Sequence, residues 1–453
     1  MSQLISGRAM RTAAAPEILV FPGDPSWDQA RTAWNLAVDQ RPAAVALPET
    51  VDDVVAAVDY ARELGLRVAV QATGHGAGAP LDGALLVNTA RMTGVEIDAG
   101  SRVARVASGT IWMDVVDGAV EHGLTALHGS SHDVGVVGYS LGGGIGWMAR
   151  KHGLSSSSVL AAEVVTADGE VVRADADTNP DLFWALRGGG GGVGVVTEIE
   201  IALYPVTEAF AGWLAWPVER AGEVLGAWAE WTRGAPDEVT SVGRLLQVPP
   251  SPHVPEPLRG RQLAVVEAAH LGDEPSGREL LRPLLELGPE LDTFAMVPAR
   301  GLTELHRDPP GPAPGRGAGW MLDALDPAAA RAIVDAAAMD GTAPLVSLEI
   351  RHLGGALGRP DPNGGALTHL EPPYVMQSVG IPTDAEAVAK IDERIAVVRE
   401  ATEPWRSRRA FLNFAERGVD PDAFHAPGIR RRLEALRAEL DPDGMFRPKH
   451  ATG

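Results

Sequence analysis

Three glycine clusters mark places where backbone must come close to something else: Thr73-Gly74-His75-Gly76-Ala77-Gly78, Gly135 to Gly146, and Gly188 to Gly194. Consecutive glycines can present several backbone N–H groups to a pyrophosphate, because no Cβ stands in the way. One such loop is ordinary. Three between residues 74 and 194, with no lysine and no acidic ribose clamp among them, point to a long ligand held mostly by backbone. Loop-rich packing is the other reading of the same composition.

Two local motifs offer different chemistry. Gly138-Tyr139-Ser140-Leu141-Gly142 fits the G-x-S-x-G elbow that exposes a serine nucleophile. A strand-like Val134–Val137 precedes it and a helix-like Ile145–Arg150 follows, so a serine hydrolase acting through Ser140 is an alternative. Against it stand the crowding of Gly142, Gly143, Gly144 and Gly146, and an upstream glycine loop with no part in that fold. Gly189-x-Gly191-x-x-Gly194 matches a dinucleotide fingerprint, but it follows a helix-like Leu182–Leu186 rather than a strand. The three lysines (Lys151, Lys390 and Lys449) end no Walker string, and no histidine is followed by glutamate. No calcium loop appears either, so no metal site is expected.

The elements that must position these loops follow from periodicity. Ala43–Leu47 reads as a strand. Thr50 caps a helix with Asp53 at the box position, and Gly65 stops it. Arg67–Gln71 is the next strand and delivers the chain to the first glycine cluster. Leu85–Asn88 and Val103–Val106 read as strands, and Thr110 as the cap of a helix to His122. A hairpin turns on Asp168-Gly169, Pro180 opens a short helix, and Val195–Leu203 alternates as a strand. The texture changes near residue 206. Strands 209–216, 239–247, 262–270, 319–325 and 345–352 then alternate with helices up to residues 231, 287 and 338, an α+β pattern. A helix near 385–400, a strand Phe411–Phe414 and an amphipathic helix near 429–440 close the chain. Chains beyond roughly 250–300 residues usually split their core, so two domains are expected for 453 residues.

Composition narrows the partners. A net charge of −21 argues against nucleic acid or an anionic membrane as the main partner. With no cysteine, disulfides, thiolate metal sites and cysteine nucleophiles are excluded together. No apolar run approaches the roughly 18 residues of a spanning helix. Arg8 and Arg11 precede an Ala-rich stretch without an h-region or cleavage site. The expectation is a cytoplasmic protein, monomer or homodimer. Arginine in place of lysine fits a GC-rich bacterial genome.

Taken together, these residues resemble FAD-linked oxidases of the vanillyl-alcohol oxidase/p-cresol methylhydroxylase (PCMH) superfamily, in its berberine-bridge-enzyme-like and hydroxynicotine-oxidase-like branch. Arg41-Pro42-x-x-Val45-x-x-Pro48-x-x-x-x-Asp53 matches the opening strand and helix. Gln71-Ala72-Thr73-Gly74-His75 stands where the family writes Arg-Ser-Gly-Gly-His. Gly135–Gly146 with Lys151-x-Gly153-Leu154, Asp181 to Gly190, and Gly194-Val195-Val196-Thr197 continue the match. Asn413-Phe414 and Asp441-Pro442-Asp443-Gly444-Met445-Phe446 complete it.

The resemblance implies an α+β, two-domain PCMH-type fold: a discontinuous flavin domain (1–205, its PCMH-type part about 38–205), a substrate domain with a central antiparallel sheet (206–400), and a C-terminal segment returning to the flavin domain (401–453). It implies FAD cradled by Ala72, Thr73, Gly74, His75, Gly76 and Ala77, with Gly135, Gly138, Tyr139, Gly142 and Val196 beside it. His75 aligns with the histidine that bonds the flavin covalently. Ser131 stands where doubly linked members carry cysteine, so any attachment is single. Asn413 would bond the flavin pyrimidine edge.

The implied reaction is hydride transfer from a small alcohol, amine or sugar-like metabolite to flavin N5, a base taking the proton and O2 giving H2O2. A flavin dehydrogenase with another acceptor is the alternative within the class. On the strand 345–352, alternation puts Ser347, Glu349 and Arg351 on one face. Glu349 is then either the base or substrate anchor, or half of a solvated Glu/Arg pair. Tyr374 is a candidate phenol or a core residue, and His132 a candidate acid/base in the second glycine cluster.

Overall fold

The computed structural model describes residues 15–78, 81–252, 256–309, 311–416 and 419–448. The N-terminal reading at Arg8 and Arg11 lies outside the described residues. Among them, no helix is long and apolar enough to cross a membrane, and no cluster of His, Asp or Glu could hold a metal ion.

The opening unit forms as its caps dictate. The Thr50 hydroxyl accepts from the Asp53 N–H (3.2 Å), while the Asp53 carboxylate accepts from the N–H groups of Thr50 and Glu49, each at 3.0 Å. The helix runs Val51–Leu64 and ends at Gly65, whose φ of 63° lies in the left-handed region that favours glycine. Val54, Ala57, Val58 and Ala61 bury its apolar stripe. Beneath it lie β1 (Leu19–Val20), β2 (Ala44–Ala46), β3 (Arg67–Gln71) and β4 (Ala84–Asn88), in the order β1-β2-β4-β3 with β2, β4 and β3 parallel. The C-terminal chain returns to this sheet: the N–H groups of Val68 and Arg447 bond the carbonyls of Met445 and Val68, at 2.7 and 3.0 Å.

A second sheet holds β5 (Val95–Asp98), β6 (Val103–Ala107), β7 (Val159–Val165), β8 (Val171–Asp175) and β9 (Val195–Ala202), in the order β5-β6-β9-β7-β8, all antiparallel. The third and largest comprises β10 (Glu208–Pro217), β11 (Val239–Gln247), β12 (Gln262–His270), β13 (Leu291–Asp292), β14 (Ala295–Pro298), β15 (Arg316–Leu322), β16 (Leu345–His352) and β17 (Tyr374–Gly380). Its order is β13-β10-β12-β11-β16-β17-β15, with β14 also on β10, again antiparallel. Helices 221–232, 327–337 and 385–401 and the helix 274–285 cover one face, burying Phe210, Trp216, Trp228 and Ile350. Register puts Arg244, Glu349 and Gln377 side by side on the other face. That face meets Leu127, Trp147 and Met148 from the glycine-rich half. The architecture is the expected α+β one, with its largest antiparallel sheet covered by helices on one face.

Five local expectations change. The strand read at 319–325 lies at Arg316–Leu322. The helix after Thr110 starts at Trp112, because the Thr110 hydroxyl is engaged with both backbone groups of Gly94, at 3.1 Å each. Val134–Val137 is no strand: the chain enters a helix at Val136 that ends at Leu141. Of Ile145–Arg150 only the end is helical, as Ala149–His152. Phe411–Phe414 is a 3₁₀ turn over Leu412–Phe414 rather than a strand.

Candidate functional site

Strand β3 ends at Gln71 and the chain turns sharply at Gly74. Its φ is +84°, and a Cβ there would stand 2.8 Å from Ala33. Among the described residues, the N–H groups of Gly74, His75 and Gly76 donate to nothing in the protein. Three consecutive free donors in a turn form a concavity suited to an anion. Ala77 closes the turn onto the Gly74 carbonyl (3.1 Å).

His75 is held on every side. Its ring stacks on Trp34, centroids 4.1 Å apart and planes at 22°. Nδ1 contacts the Thr73 hydroxyl (2.8 Å) and Nε2 the Asp133 carboxylate (3.2 Å). Asp133 also accepts from Trp34 Nε1 (2.7 Å) and the Ser131 hydroxyl (3.0 Å). Burial alone would raise the Asp133 pKa. The hydrogen bonds from His75 and Trp34 outweigh it and hold the carboxyl well below the usual range. An ionised acceptor at Nε2 places the neutral ring's proton there and leaves the Nδ1 lone pair facing the Thr73 hydroxyl.

The second glycine cluster packs against this turn. A Cβ on Gly135 would lie 3.2 Å from the Ala72 Cβ. The helix Val136–Leu141 that follows leaves Gly138 exposed, with nothing within 4 Å of a built Cβ. Tyr139 turns inward. Its ring meets Trp112 edge-on at 5.5 Å, and its hydroxyl is buried without a partner. Asn413 ends the helix: Nδ2 donates to the Tyr139 carbonyl (3.0 Å) and Oδ1 accepts from the Gly144 N–H (3.4 Å). Gly142 allows that approach, since a Cβ would be 2.5 Å from Asn413 Oδ1. Val196 is buried in β9, within the core of the second sheet.

The elbow reading of Ser140 fails on geometry. The residue is fully buried in the helix, its hydroxyl paired with Ser155 at 3.1 Å. The third glycine cluster also faces protein. Arg437 donates to the carbonyls of Gly189 (2.6 Å) and Gly191 (3.1 Å), and His425 contacts the Gly188 carbonyl (2.8 Å).

On the large sheet, the charged face is neither solvated nor a simple pair. Glu349 is 5% exposed; one oxygen accepts from Arg351 Nε (2.8 Å) and the other contacts His306 Nε2 (2.7 Å). His306 Nδ1 contacts the fully buried Glu267. Arg244 donates to Glu267 (3.2 Å), the Ser347 hydroxyl (2.9 Å) and the His306 carbonyl (3.0 Å). Arg351 reaches out of the sheet to the Ser130 hydroxyl (3.1 Å). Burial would raise the Glu349 pKa, but Arg351 and His306 prevail and hold it below the ordinary carboxylate range.

Tyr374 is placed elsewhere. It lies on the opposite face of β17, its hydroxyl paired with Thr232 (2.7 Å) and its ring 6.1 Å from Trp228, so it is a core residue. His132 is half-buried beside Asp133, its carbonyl accepting from the Met113 N–H (2.9 Å).

Sequence reasoning missed Trp34, Asp133, Arg244, Glu267 and His306. Two left a signal: Glu267 is the lone charge in Leu263–Ala269, and Arg244 interrupts Val242–Leu246. A charge inside an apolar run is buried only with partners.

The segment Ser130–Asp133 touches both centres, with Ser130 on Arg351 and Asp133 on His75. A pyrophosphate fits the free N–H groups of Gly74–Gly76, and the second glycine cluster packs against the same turn at Gly135. The His75 turn and the charged strand are thus one loop apart.

The sequence profile of a family described as an FAD binding domain matches residues 42–175. (R)-6-hydroxynicotine oxidase of Paenarthrobacter nicotinovorans is 36% identical over 201 residues, 44% of this chain and 44% of that protein. Chitooligosaccharide oxidase of Gibberella zeae is 34% identical over 273 residues, 58% of this chain and 52% of that protein. The chain thus spans about half the length of the curated relatives it matches. The crystal structure of 6-hydroxy-D-nicotine oxidase from Arthrobacter nicotinovorans superposes with a TM-score of 0.83 at 25% identity, covering 96% of this chain and 98% of that one.

Proposed function

We propose that this chain, similar to the FAD-linked oxidoreductases of the vanillyl-alcohol oxidase/PCMH superfamily and their berberine-bridge-enzyme-like branch, is an oxidase of small alcohols, amines or sugar-like metabolites. Bound FAD would supply the hydride acceptor at N5, with O2 as the final oxidant and H2O2 as product. The reading is carried by one observation: Ser130–Asp133 joins the charged strand to the His75 turn.

The N–H groups of Gly74, His75 and Gly76 would bind the pyrophosphate, and His75 Nδ1 would carry the single covalent bond. Asp133 and Trp34 fix the ring for that role. Glu349 would accept a hydrogen bond from the substrate OH or NH and orient its C–H. As hydride leaves, that proton becomes strongly acidic, so even a carboxylate held below its ordinary range takes it. Arg351 balances the charge.

The test is direct. The protein is precipitated with acid and flavin fluorescence is read in pellet and supernatant. Flavin in the pellet, absent from His75→Ala, is the expected result; flavin in the supernatant removes the covalent bond and keeps the oxidoreductase. Chitobiose, xylobiose and (R)-6-hydroxynicotine are then tried for anaerobic bleaching and for H2O2 in air. Bleaching without H2O2 identifies a dehydrogenase, and a chain that never takes up FAD sinks the reading.

A further inference from the structure

The buried chain behind Glu349 exceeds what holding a substrate requires. Glu267 is 0% and His306 3% exposed. Two carboxylates and two guanidiniums around one imidazole carry a large desolvation cost. An apolar replacement of similar volume is often neutral or stabilising. Stability therefore does not explain the arrangement.

Its geometry counts protons. Both ring nitrogens of His306 face a carboxylate oxygen: Nδ1 faces Glu267, and Nε2 faces Glu349 at 2.7 Å. An ionised carboxylate only accepts, and a neutral imidazole has one N–H. With a single proton, one contact would set a lone pair against an anion. Two protons must therefore be shared among the three groups. The other charges facing His306 are Arg244, whose Nη1 bonds both Glu267 and the His306 carbonyl, and Asp308, 3.9 Å from Nε2. Arg351 lies beyond Glu349. Two guanidiniums and an imidazolium balance Glu267, Glu349 and Asp308.

We propose that Glu267 and His306 are positioning residues for Glu349: a buried carboxylate–imidazole–carboxylate chain that keeps the Glu349 carboxylate ionised and fixed beside Arg351. The inference rests on the role given to Glu349 above. It adds that the competence of Glu349 is set from behind the strand. The imidazole's own balance agrees. Burial and Arg244 lower its pKa, the three carboxylates raise it more, and it stands at about 9.

Two readouts test this on the flavin-loaded protein. The first needs no substrate. Long-range 1H–15N spectra of histidine-labelled protein, with His306→Gln assigning the signal, should show both His306 nitrogens protonated at pH 7. Glu349→Gln or Glu267→Gln should each abolish the second proton. A neutral imidazole in the wild type overturns the proposal.

The second is the pH profile of anaerobic flavin bleaching with chitobiose, xylobiose or (R)-6-hydroxynicotine. Losing the neighbouring cation raises the Glu349 pKa, so Glu267→Gln should move the acid limb up by about 1–3 units at unchanged FAD content. His306→Gln should do the same. If it does not fold, the near-isosteric Glu267→Gln still decides. Profiles coinciding with the wild type overturn the proposal even where the spectra show an imidazolium. If none of the three compounds bleaches the flavin, the substrate reading falls, and the spectra alone decide this one.

Discussion

Two glycines of the second cluster separate packing from ligand room at the residue scale. A Cβ on Gly146 would stand 1.8 Å from the His128 carbonyl oxygen, while one on Gly138 would touch nothing within 4 Å. Gly146→Ala should therefore cost about 1–3 kcal/mol, read as a lower melting temperature. Gly138→Ala should leave the flavin-free protein as stable or more so, by up to about 1 kcal/mol, since alanine favours helix. If FAD lies over the open face, the same variant should bind less flavin on reconstitution. Unchanged flavin content would place the cofactor elsewhere. The glycine loops and Glu349 are legible by residue type and spacing, and His75 through the resemblance of Gln71–His75 to the family motif. The sequence could not reveal that Asp133 closes on His75 or that His306 closes on Glu349. Those contacts join residues distant in the chain, and only the folded sheet order brings them together. Tyr374 shows the converse. A tyrosine is a candidate phenol by type, yet it lies on the helix-covered face of β17 against Thr232, and residue type alone does not say which face lines the cleft.

Elements carrying a local signal appeared where expected, and those needing a tertiary partner did not. Strands 67–71, 239–247, 262–270 and 345–352 match to the residue, because their apolar pattern and flanking turns agree. The Thr50–Asp53 helix is equally local. Its capping box predicts that Thr50→Ala costs about 0.5–2 kcal/mol in urea or thermal unfolding. Asp53 adds a pH dependence. The N–H of Glu49, and after it Thr50, holds its carboxyl below the ordinary value. A depressed carboxylate stabilises the fold above its unfolded pKa and loses that contribution as pH falls through the folded one. Asp53→Asn should thus be less stable than wild type at neutral pH and converge with it below about pH 4. A constant gap across that range would show that the carboxylate's charge is irrelevant to the cap. By contrast, the Phe411–Phe414 segment reads as a strand from its composition. It becomes a 3₁₀ turn because Asn413 is needed at the end of the helix Val136–Leu141.

The whole molecule is fastened across its halves by a residue that no motif announces. Arg150 follows the second glycine cluster and is 4% exposed. Its guanidinium reaches four backbone carbonyls on the large-sheet side: Leu353 (2.8 Å), Pro236 (2.8 Å), Val239 (2.5 Å) and Ala235 (3.3 Å). Burial pushes its pKa down, yet guanidinium starts so high that the charge survives. Nearby, Lys151 pairs with Glu238 at 2.5 Å across the same boundary. An exposed pair of this kind contributes little, so Arg150 is the fastening that matters. A lysine cannot reproduce a planar fork. Arg150→Lys would leave buried carbonyls unpaired, each charge-assisted bond lost costing about 1.5–3 kcal/mol. Because Gly142, Gly144 and Gly146 lie just upstream, loosening Arg150 should also loosen the flavin side relative to the large sheet. The wild type should lose flavin environment and tertiary signal in one transition. In Arg150→Lys the flavin signal should change first and the sheet melt later. Lys151→Met should leave a single transition with little change in midpoint. Coincident transitions in Arg150→Lys would mean that the halves are coupled through their apolar contacts, at Leu127, Trp147 and Met148 and at Ile145, Ala149 and Leu154, and that the guanidinium only fills space.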